Sequence, residues 1–278
     1  GFFGNISNTI HLMKSCVNVL KKDKELVLFP IMAAICVIVL LGIIYSIEGI
    51  TFSDNPEEQS LIILLAILIF GANFFIVFFN SALISAALER LRGGDPNISS
   101  GLIHALKHVH HIFLWSIIVT IMALIFAAIR SIGRSRGIGG QIMTVLFASF
   151  LQAGWAMMTF FVVPIIVSEN LGPISAIKRS SGLFKQTWGN QVAANFGFGI
   201  FQILSILASV AIGWIFGLVS PTFGIIVGFL CASISVSIIY TLEGIYKAAL
   251  YEFAMGEKPL EFEQQDLRTA YRAHASMA

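Results

Sequence analysis

Six long apolar runs constrain the fold of this chain more than any other feature of its sequence. They cover residues 26–47, 60–91, 112–129, 141–168, 191–218 and 223–242. A membrane-spanning helix needs roughly 20 predominantly apolar residues. Only 12% of the residues are charged, whereas soluble domains carry about a quarter. The sequence therefore predicts an all-α polytopic membrane protein with six transmembrane helices.

Three polar stretches that precede apolar runs share one feature, a Ser directly after an Ile. They open at Asn5, Asn97 and Gly172, and each continues as an amphipathic segment, at residues 5–24, 97–111 and 172–189. Ser7 is the predicted N-cap of the first segment, because its hydroxyl can accept a backbone N–H. We predict one transmembrane domain (1–278) of three hairpins, each preceded by an amphipathic interfacial helix. The repeat units are residues 5–96, 97–171 and 172–259, followed by a polar cytoplasmic tail at 260–278.

The first amphipathic segment has a cationic face formed by Lys14, Lys21, Lys22 and Lys24. Such a face suits the anionic headgroups at a membrane surface. The alternative is a short helix whose apolar side packs against the protein's own spans, and the sequence leaves both interpretations open.

The distribution of basic residues predicts the orientation of the chain in its membrane. Of the 17 Lys and Arg residues, only Arg130, Arg134 and Arg136 lie on the side opposite the N-terminus. Because basic residues concentrate on the cytoplasmic side, both termini are predicted to be cytoplasmic. The bases are dispersed at membrane edges, so no nucleic-acid partner is expected. The three cysteines are far apart and imply neither a disulfide framework nor a metal site.

Histidines give the sharpest local signal. His104, His108 and His111 have i, i+4 and i+7 spacing, which places all three on one face of a helix covering residues 97–111. An i, i+4 pair is a ligand geometry that helices supply to zinc and other divalent metals. Three ligands on one short helix would need help from another element, such as Glu89, Glu169 or His11. Imidazole is also part apolar and part polar, so the alternative is a histidine face that simply suits the headgroup zone.

Several polar residues interrupt the apolar runs. Two pairs have seven-residue spacing, which places each pair on one helix face: Asn73 with Asn80, and Asn195 with Gln202. Gln152 lies within the fourth run, and Glu243 lies at the end of the sixth, four residues before Lys247. These side chains either form hydrogen bonds between helices or line a polar cavity for a solute or a lipid headgroup. Glu243 either pairs with Lys247 or couples to protons.

Three motifs carry a resemblance to a known family: ALYEFAMGEKP (Ala249–Pro259), GGDPNISSGLIHAL and SENLGPISAIKRSSGLFKQTWG. The chain resembles a family of uncharacterised prokaryotic six-span membrane proteins, known only as a domain of unknown function. More distantly, it is similar to the membrane domains of bacterial glycerophosphodiester phosphodiesterases, which share the GPxxAxxxS…W pattern. The resemblance implies a location in the prokaryotic cytoplasmic (inner) membrane. It implies no catalytic residue, because those phosphodiesterases keep their chemistry in a separate soluble domain.

No recognised catalytic motif accompanies these features. The sequence has no phosphate-binding glycine loop, no HExxH and no G-x-S-x-G. We therefore expect a non-enzymatic membrane module, a scaffold or a subunit that binds lipid or a protein partner, including a second copy of itself. The alternatives are a channel or transporter for a small solute or lipid, and a metal-dependent membrane enzyme at the histidine face. No cofactor is expected apart from that divalent metal.

Overall fold

The computed structural model describes residues 2–51, 58–132, 137–188 and 197–262, and these residues form helices and turns without a β-strand. The helices are α1 (Phe2–Lys22), α2 (Leu28–Thr51), α3 (Glu58–Leu91), α4 (Ile98–Lys107), α5 (Val109–Ile132), α6 (Gly137–Met158), α7 (Val162–Glu169), α8 (Pro173–Trp188), α9 (Gly197–Gly217) and α10 (Pro221–Ala254). A 3₁₀ turn at Lys24–Val27 joins α1 to α2. The all-helical prediction is therefore confirmed for the described residues.

Five segments are long and apolar enough to cross a membrane: Lys24–Ser46, Ile63–Leu91, Val109–Ile132, Gly139–Glu169 and Pro221–Ala254. They correspond to the first, second, third, fourth and sixth predicted spans. The lengths and apolar composition of these helices are those of a membrane protein. The fifth predicted span corresponds to a shorter apolar helix, Phe201–Gly217. Its first residues, 191–196, lie outside the described part of the chain, so the six-span arrangement stays a prediction.

The chain divides into two compact units. One contains Gly1–Ile31, Leu83–Gly101 and Lys185–Ala278, and the other contains Met32–Ala82 and Leu102–Phe184. Within the second unit, α2 contacts α3 where Leu40 lies against Gly71, and α5 contacts α6 through stacked Trp115 and Trp155, whose ring centroids are 6.0 Å apart.

Within the first unit, glycines bring α9 and α10 into backbone contact. A β-carbon on Gly213 would come within 2.9 Å of the Cα of Gly228. Gly217 and Gly224 form a second contact of the same kind closer to the connecting turn. Small residues allow this close approach between membrane helices.

Three long helical segments end with the same local geometry. The backbone is left-handed at Gly93 (φ 90°), Asn170 (φ 51°) and Gly256 (φ 87°). A proline follows three residues later in each case, at Pro96, Pro173 and Pro259. A left-handed residue ends a helix, and glycine adopts that conformation without steric cost. Glycine followed by proline is a sequence signal for the ends at Gly93 and Gly256, whereas the end at Asn170 has no such glycine.

The predicted N-cap at Ser7 is wrong, since α1 already begins at Phe2 and Ser7 lies inside the helix. The apolar spacing explains the difference, because Phe3 and Ile6 continue the helical period of Ile10 upstream of Ser7. At the second amphipathic segment the N-cap is Asn97. Its Oδ1 accepts a hydrogen bond from the Ser100 N–H at 2.8 Å, and the Ser100 Oγ accepts one from the Asn97 N–H at 3.1 Å.

The fourth predicted span is not one continuous helix, because a turn at residues 159–161 separates α6 from α7. Pro164 explains the break, since proline has no N–H to donate and its ring clashes with the carbonyl four residues earlier. The N–H of Phe161 instead donates to Ser180 Oγ on α8 at 3.0 Å. Ser180 belongs to the GPxxAxxxS pattern and is fully buried, so this motif serves to hold the break between α6 and α7.

Candidate functional site

The three histidines do not share one helix. The helix α4 ends at Lys107 and α5 begins at Val109, so the helical conformation is interrupted at His108. The prediction that His111 projects from the same helix face as His104 is therefore wrong. The rings of His104 and His108 do stack, with centroids 5.0 Å apart.

Two of the histidines bond to backbone atoms. His104 Nε2 lies 2.9 Å from the carbonyl oxygen of Val167, near the end of α7. His108 Nδ1 lies 2.9 Å from the carbonyl oxygen of His104. A β-carbon on Gly172 would come within 3.8 Å of the His111 ring. Among the described residues, no three His, Cys, Asp or Glu side chains are arranged to hold a metal ion. The metal site therefore stays a prediction. In the structure, the bond from His104 to the Val167 carbonyl holds α4 to α7.

The polar residues of the predicted spans differ in their surroundings. Asn73 donates its side-chain N–H to the Ile69 carbonyl of its own helix at 3.0 Å, and Asn80 is half-buried. Asn195 lies outside the described residues. The Gln202 Nε2 is buried and has no hydrogen-bond partner in the described part of the chain. The polar cavity that these residues were predicted to line therefore stays a prediction.

The other two polar residues have partners. Gln152 Oε1 accepts a hydrogen bond from Arg130 Nη2 at 2.9 Å. Lys247 Nζ lies 2.7 Å from Glu243 Oε1. The i, i+4 pairing of Glu243 with Lys247 is therefore confirmed, and the charge of Glu243 is compensated within its own helix.

A cluster of ion pairs lies in the first unit, where α3 and α10 end. We call Asp23, Arg90, Arg92, Asp95 and Glu252 the helix-end cluster. Arg90 donates to both oxygens of Asp23, from Nε and Nη2, at 2.5 Å each. Its Nη2 also donates to Asp95 Oδ1 at 2.6 Å. The Asp23 side chain is 4% exposed, whereas that of Asp95 is 95% exposed, so Arg90 connects a buried carboxylate to one in solvent.

The second half of the helix-end cluster joins α10 to the chain segment that follows α3. Arg92 donates from Nη2 to the buried carboxylate of Glu252 at 2.7 Å, and this hydrogen bond raises the pKa of Arg92 above its usual value. The backbone N–H of Leu260 donates to the Leu91 carbonyl at 3.1 Å. Lys22 Nζ pairs with Glu261 at 2.6 Å. Backbone and side-chain bonds therefore hold together the segments that follow α3 and α10, which begin near Gly93 and Gly256.

An open depression of about 680 Å³ lies beside this cluster. Its lining comes from the end of α1, the 3₁₀ turn and the turn after α3: Lys21, Lys22, Asp23, Lys24, Glu25, Asp95, Pro96 and Asn97. One candidate span starts at Lys24 and another ends at Leu91. The depression therefore lies at the level where two candidate spans begin or end.

The amphipathic helices differ in what they bury. On α1, the residues Leu12, Cys16 and Val19 are buried, and α1 packs on α10. The helix α4 instead exposes Ile103 and Leu106 beside Lys107, and α8 exposes Ile174 beside Lys178. The helix α1 therefore packs against protein, whereas α4 and α8 leave large apolar side chains exposed.

Sequence reasoning missed Asp23, Arg90 and Ser180. Asp23 lies between Lys22 and Lys24 in a run of lysines, and an acidic residue in such a run is a signal that it pairs elsewhere. Its partner is 67 positions away, which no local pattern can show. Ser180 belonged to a noted pattern, but its role depends on the break at residues 159–161.

Comparison with protein families shows which family this chain belongs to. The model of a family of unknown function (DUF6159) matches residues 59–259, which is well over half of the chain. Searches of curated proteins and of solved structures found no match. The resemblance to phosphodiesterase membrane domains stays a prediction.

Proposed function

We propose a function for a chain that belongs to a family of unknown function (DUF6159): a non-enzymatic membrane module whose surface helices bind lipid. The module lies in the cytoplasmic membrane of a prokaryote, with both termini in the cytoplasm. Its role is that of a scaffold or subunit, which holds lipid or a protein partner at the membrane surface.

The exposed faces of α4 and α8 carry this proposal. Ile103, Leu106 and Ile174 are 51%, 55% and 68% exposed. Each of these helices also exposes a lysine, Lys107 or Lys178. Large apolar side chains beside cations are typical of helices that lie in the interface plane, with the apolar face among acyl chains and the charge among headgroups. In water the same faces would leave apolar surface unsatisfied.

The polar groups near these helices support a structural role. Ser180 bonds to the backbone just before α7, and His104 bonds to a backbone carbonyl near the end of α7. Arg90 and Arg92 are committed to carboxylates. A catalytic acid, base or nucleophile needs to reach a substrate, and these side chains are occupied by bonds that hold helix ends.

The experiment measures how deeply α4 and α8 lie in a bilayer. A Cys36→Ser/Cys231→Ser background receives single cysteines at Ile103, Leu106 or Ile174, which are labelled with an environment-sensitive fluorophore in nanodiscs. Cys16 can remain, because burial raises the pKa of its thiol well above the usual value and keeps it unreactive. We expect lipids that carry a quencher near the glycerol level to quench all three labels.

Labels at Ser175 and Gly182 are the controls, because both positions are exposed on α8, are seven residues apart, and so share a helix face that does not include Ile174. They should be accessible to a water-soluble quencher. If the labels at Ile103, Leu106 and Ile174 respond only to the water-soluble quencher, these helices do not enter the interface and the proposal is wrong.

One observation favours a second candidate, a channel or transporter. The Gln202 Nε2 is a buried donor without a partner in the described part of the chain, and such a group costs free energy unless water or a solute satisfies it. Proteoliposomes that contain the wild-type chain would then swell faster in a glycerol gradient than empty liposomes, and Gln202→Leu would remove the difference. Equal swelling of proteoliposomes and empty liposomes would exclude glycerol-permeable transport.

A further inference from the structure

The depression beside the helix-end cluster has the position and size of a headgroup site. Its volume is about 680 Å³, within the usual range for small-ligand pockets of roughly 300–1,000 Å³. It opens where the candidate spans Lys24–Ser46 and Ile63–Leu91 begin and end. A group bound there lies at the depth of phospholipid headgroups rather than of acyl chains.

The positive charge available in the depression comes from two lysines. Lys22 is paired with Glu261 at 2.6 Å. Lys21 and Lys24 are exposed and have no hydrogen-bond or ion-pair partner among the described residues. Their ammonium groups on flexible stems are suited to phosphate oxygens.

The depression also offers negative charge, because Arg90 has more carboxylate partners than it can neutralise. One guanidinium serves two carboxylates, Asp23 and Asp95, so one negative charge is left uncompensated, and Asp95 is the exposed member of the pair. Glu25 adds a second carboxylate without a partner in the described part of the chain. The depression thus offers separate positive and negative groups that balance each other.

A ligand with both charges fits this lining better than a simple anion. We propose that the depression binds the headgroup of a zwitterionic phospholipid, with its phosphodiester at Lys21 and Lys24 and a primary amine at Glu25 and Asp95. None of the lining residues is aromatic, whereas quaternary ammonium groups are bound by aromatic cages. A primary amine can donate N–H bonds to the two carboxylates, so phosphoethanolamine fits and phosphocholine does not. This inference rests on the proposed function as a lipid-binding module and names the lipid.

The test is native mass spectrometry of the full-length protein in detergent, titrated with phosphatidylethanolamine, phosphatidylcholine or phosphatidylglycerol. We expect phosphatidylethanolamine to bind most tightly. Lys21→Ala/Lys24→Ala should weaken its binding about tenfold, because the charge-assisted hydrogen bonds to the phosphodiester are lost. Glu25→Gln should reduce the preference for phosphatidylethanolamine over phosphatidylcholine.

Lys14→Ala/Lys258→Ala is the matched control, since both lysines are exposed and lie outside the lining. This variant loses the same charge and should bind like the wild type. Lys21→Arg/Lys24→Arg keeps both positive charges and should retain binding, and the alanine variant should unfold at the same temperature as the wild type. Equal affinity for the three lipids, or unchanged binding by the alanine variant, would overturn the proposal.

Soluble competitors distinguish a lipid headgroup from free phosphate. Glycerophosphoethanolamine should displace the lipid, whereas inorganic phosphate at the same concentration should not. Displacement by inorganic phosphate alone would overturn the zwitterionic site. If the lipid preference is absent while the labels on α4 and α8 are quenched, only this site is wrong. If the lipid binds but the labels stay in water, the proposed function is wrong.

Discussion

Arg90 is the residue on which the end of α3 depends most. It forms two hydrogen bonds with Asp23, whose side chain is only 4% exposed. A buried carboxylate keeps its charge at low cost only while its partner is present. Glu243 and Lys247 form a pair with a different dependence, since both residues lie one turn apart on the surface of α10.

We expect Arg90→Ala to destabilise the protein by about 3 kcal/mol, because it leaves Asp23 buried without compensation. Lys22→Ala removes the pair with Glu261 at the surface and should cost less than about 1 kcal/mol. The measurement is the free energy of unfolding from detergent-denaturant titrations. Similar values for the two variants would contradict the structural role of Arg90.

The two kinds of pair also show what a sequence can predict at the residue scale. The Glu243–Lys247 pair follows from the helical period alone, because i and i+4 side chains meet on any helix. The Asp23–Arg90 pair joins residues 67 positions apart, and it depends on where the ends of α1 and α3 lie in the fold. No periodicity encodes such a contact.

At the scale of elements, the break between α6 and α7 is stabilised by one hydroxyl. Ser180 accepts the Phe161 N–H, which lies in the turn before Pro164. We expect Ser180→Ala to destabilise the protein by about 1 kcal/mol, because the buried hydrogen bond from the Phe161 N–H to the Ser180 hydroxyl is lost. Ser181→Ala is the control, since the Ser181 hydroxyl donates to the Lys178 carbonyl within its own helix α8, and its effect should stay within about 0.5 kcal/mol.

Thermal unfolding in detergent measures both serine variants. Hydrogen exchange adds a local readout, because the amide of Phe161 should exchange faster in Ser180→Ala than in the wild type. An unchanged exchange rate at Phe161 would show that Ser180 does not hold the break.

The α9–α10 pair depends on the absence of side chains at its contact. A β-carbon on Gly213 would meet the Gly228 Cα at 2.9 Å and the Gly224 carbonyl oxygen at 3.0 Å. Gly213→Ala should therefore cost about 1–3 kcal/mol through overpacking. Gly199→Ala on the same helix meets nothing within 4 Å and should be neutral or slightly stabilising. Equal unfolding temperatures would show that the two helices can separate without cost.

Helices were easier to predict than their ends. Apolar length and period identified α2, α3, α5 and α10 because these signals accumulate over many residues. The ends at Gly93 and Gly256 were predictable from glycine followed by proline. The interruption at His108 was not, since no glycine or proline marks it and helical spacing continues across it. The lining of the depression was equally hidden, because it combines residues 21–25 with residues 95–97.

For the whole molecule, the number of spans decides where the termini lie. Six spans return both termini to one side, whereas five would place them on opposite sides. The helix α9 decides between these, because its apolar part is shorter than the other five candidates. The side that holds the loop with Arg134 and Arg136 has few basic residues, and the side that holds the N-terminus has most of them. We therefore expect both termini in the cytoplasm.

Reporter fusions test whether the chain has five or six spans. A fluorescent protein that matures only in the cytoplasm should be bright at either terminus, and a periplasmic phosphatase inserted at residues 133–136 should be active. A bright N-terminal fusion with a dark C-terminal fusion would contradict six spans and would indicate that α9 does not cross the membrane.

The length of α10 has a consequence for the surroundings of the protein. Its 34 residues extend about 51 Å, whereas the hydrocarbon core is about 30 Å thick. Large side chains in its first half, such as Ile225 (74%) and Phe229 (67%), are exposed, while Ile245, Leu250 and Tyr251 in its second half are buried by protein. One unbroken helix therefore has an exposed apolar first half and a second half that is buried by protein. Urea and salt should therefore affect the packing of the second half of α10, whereas the acyl-chain length of the surrounding lipids should affect its first half.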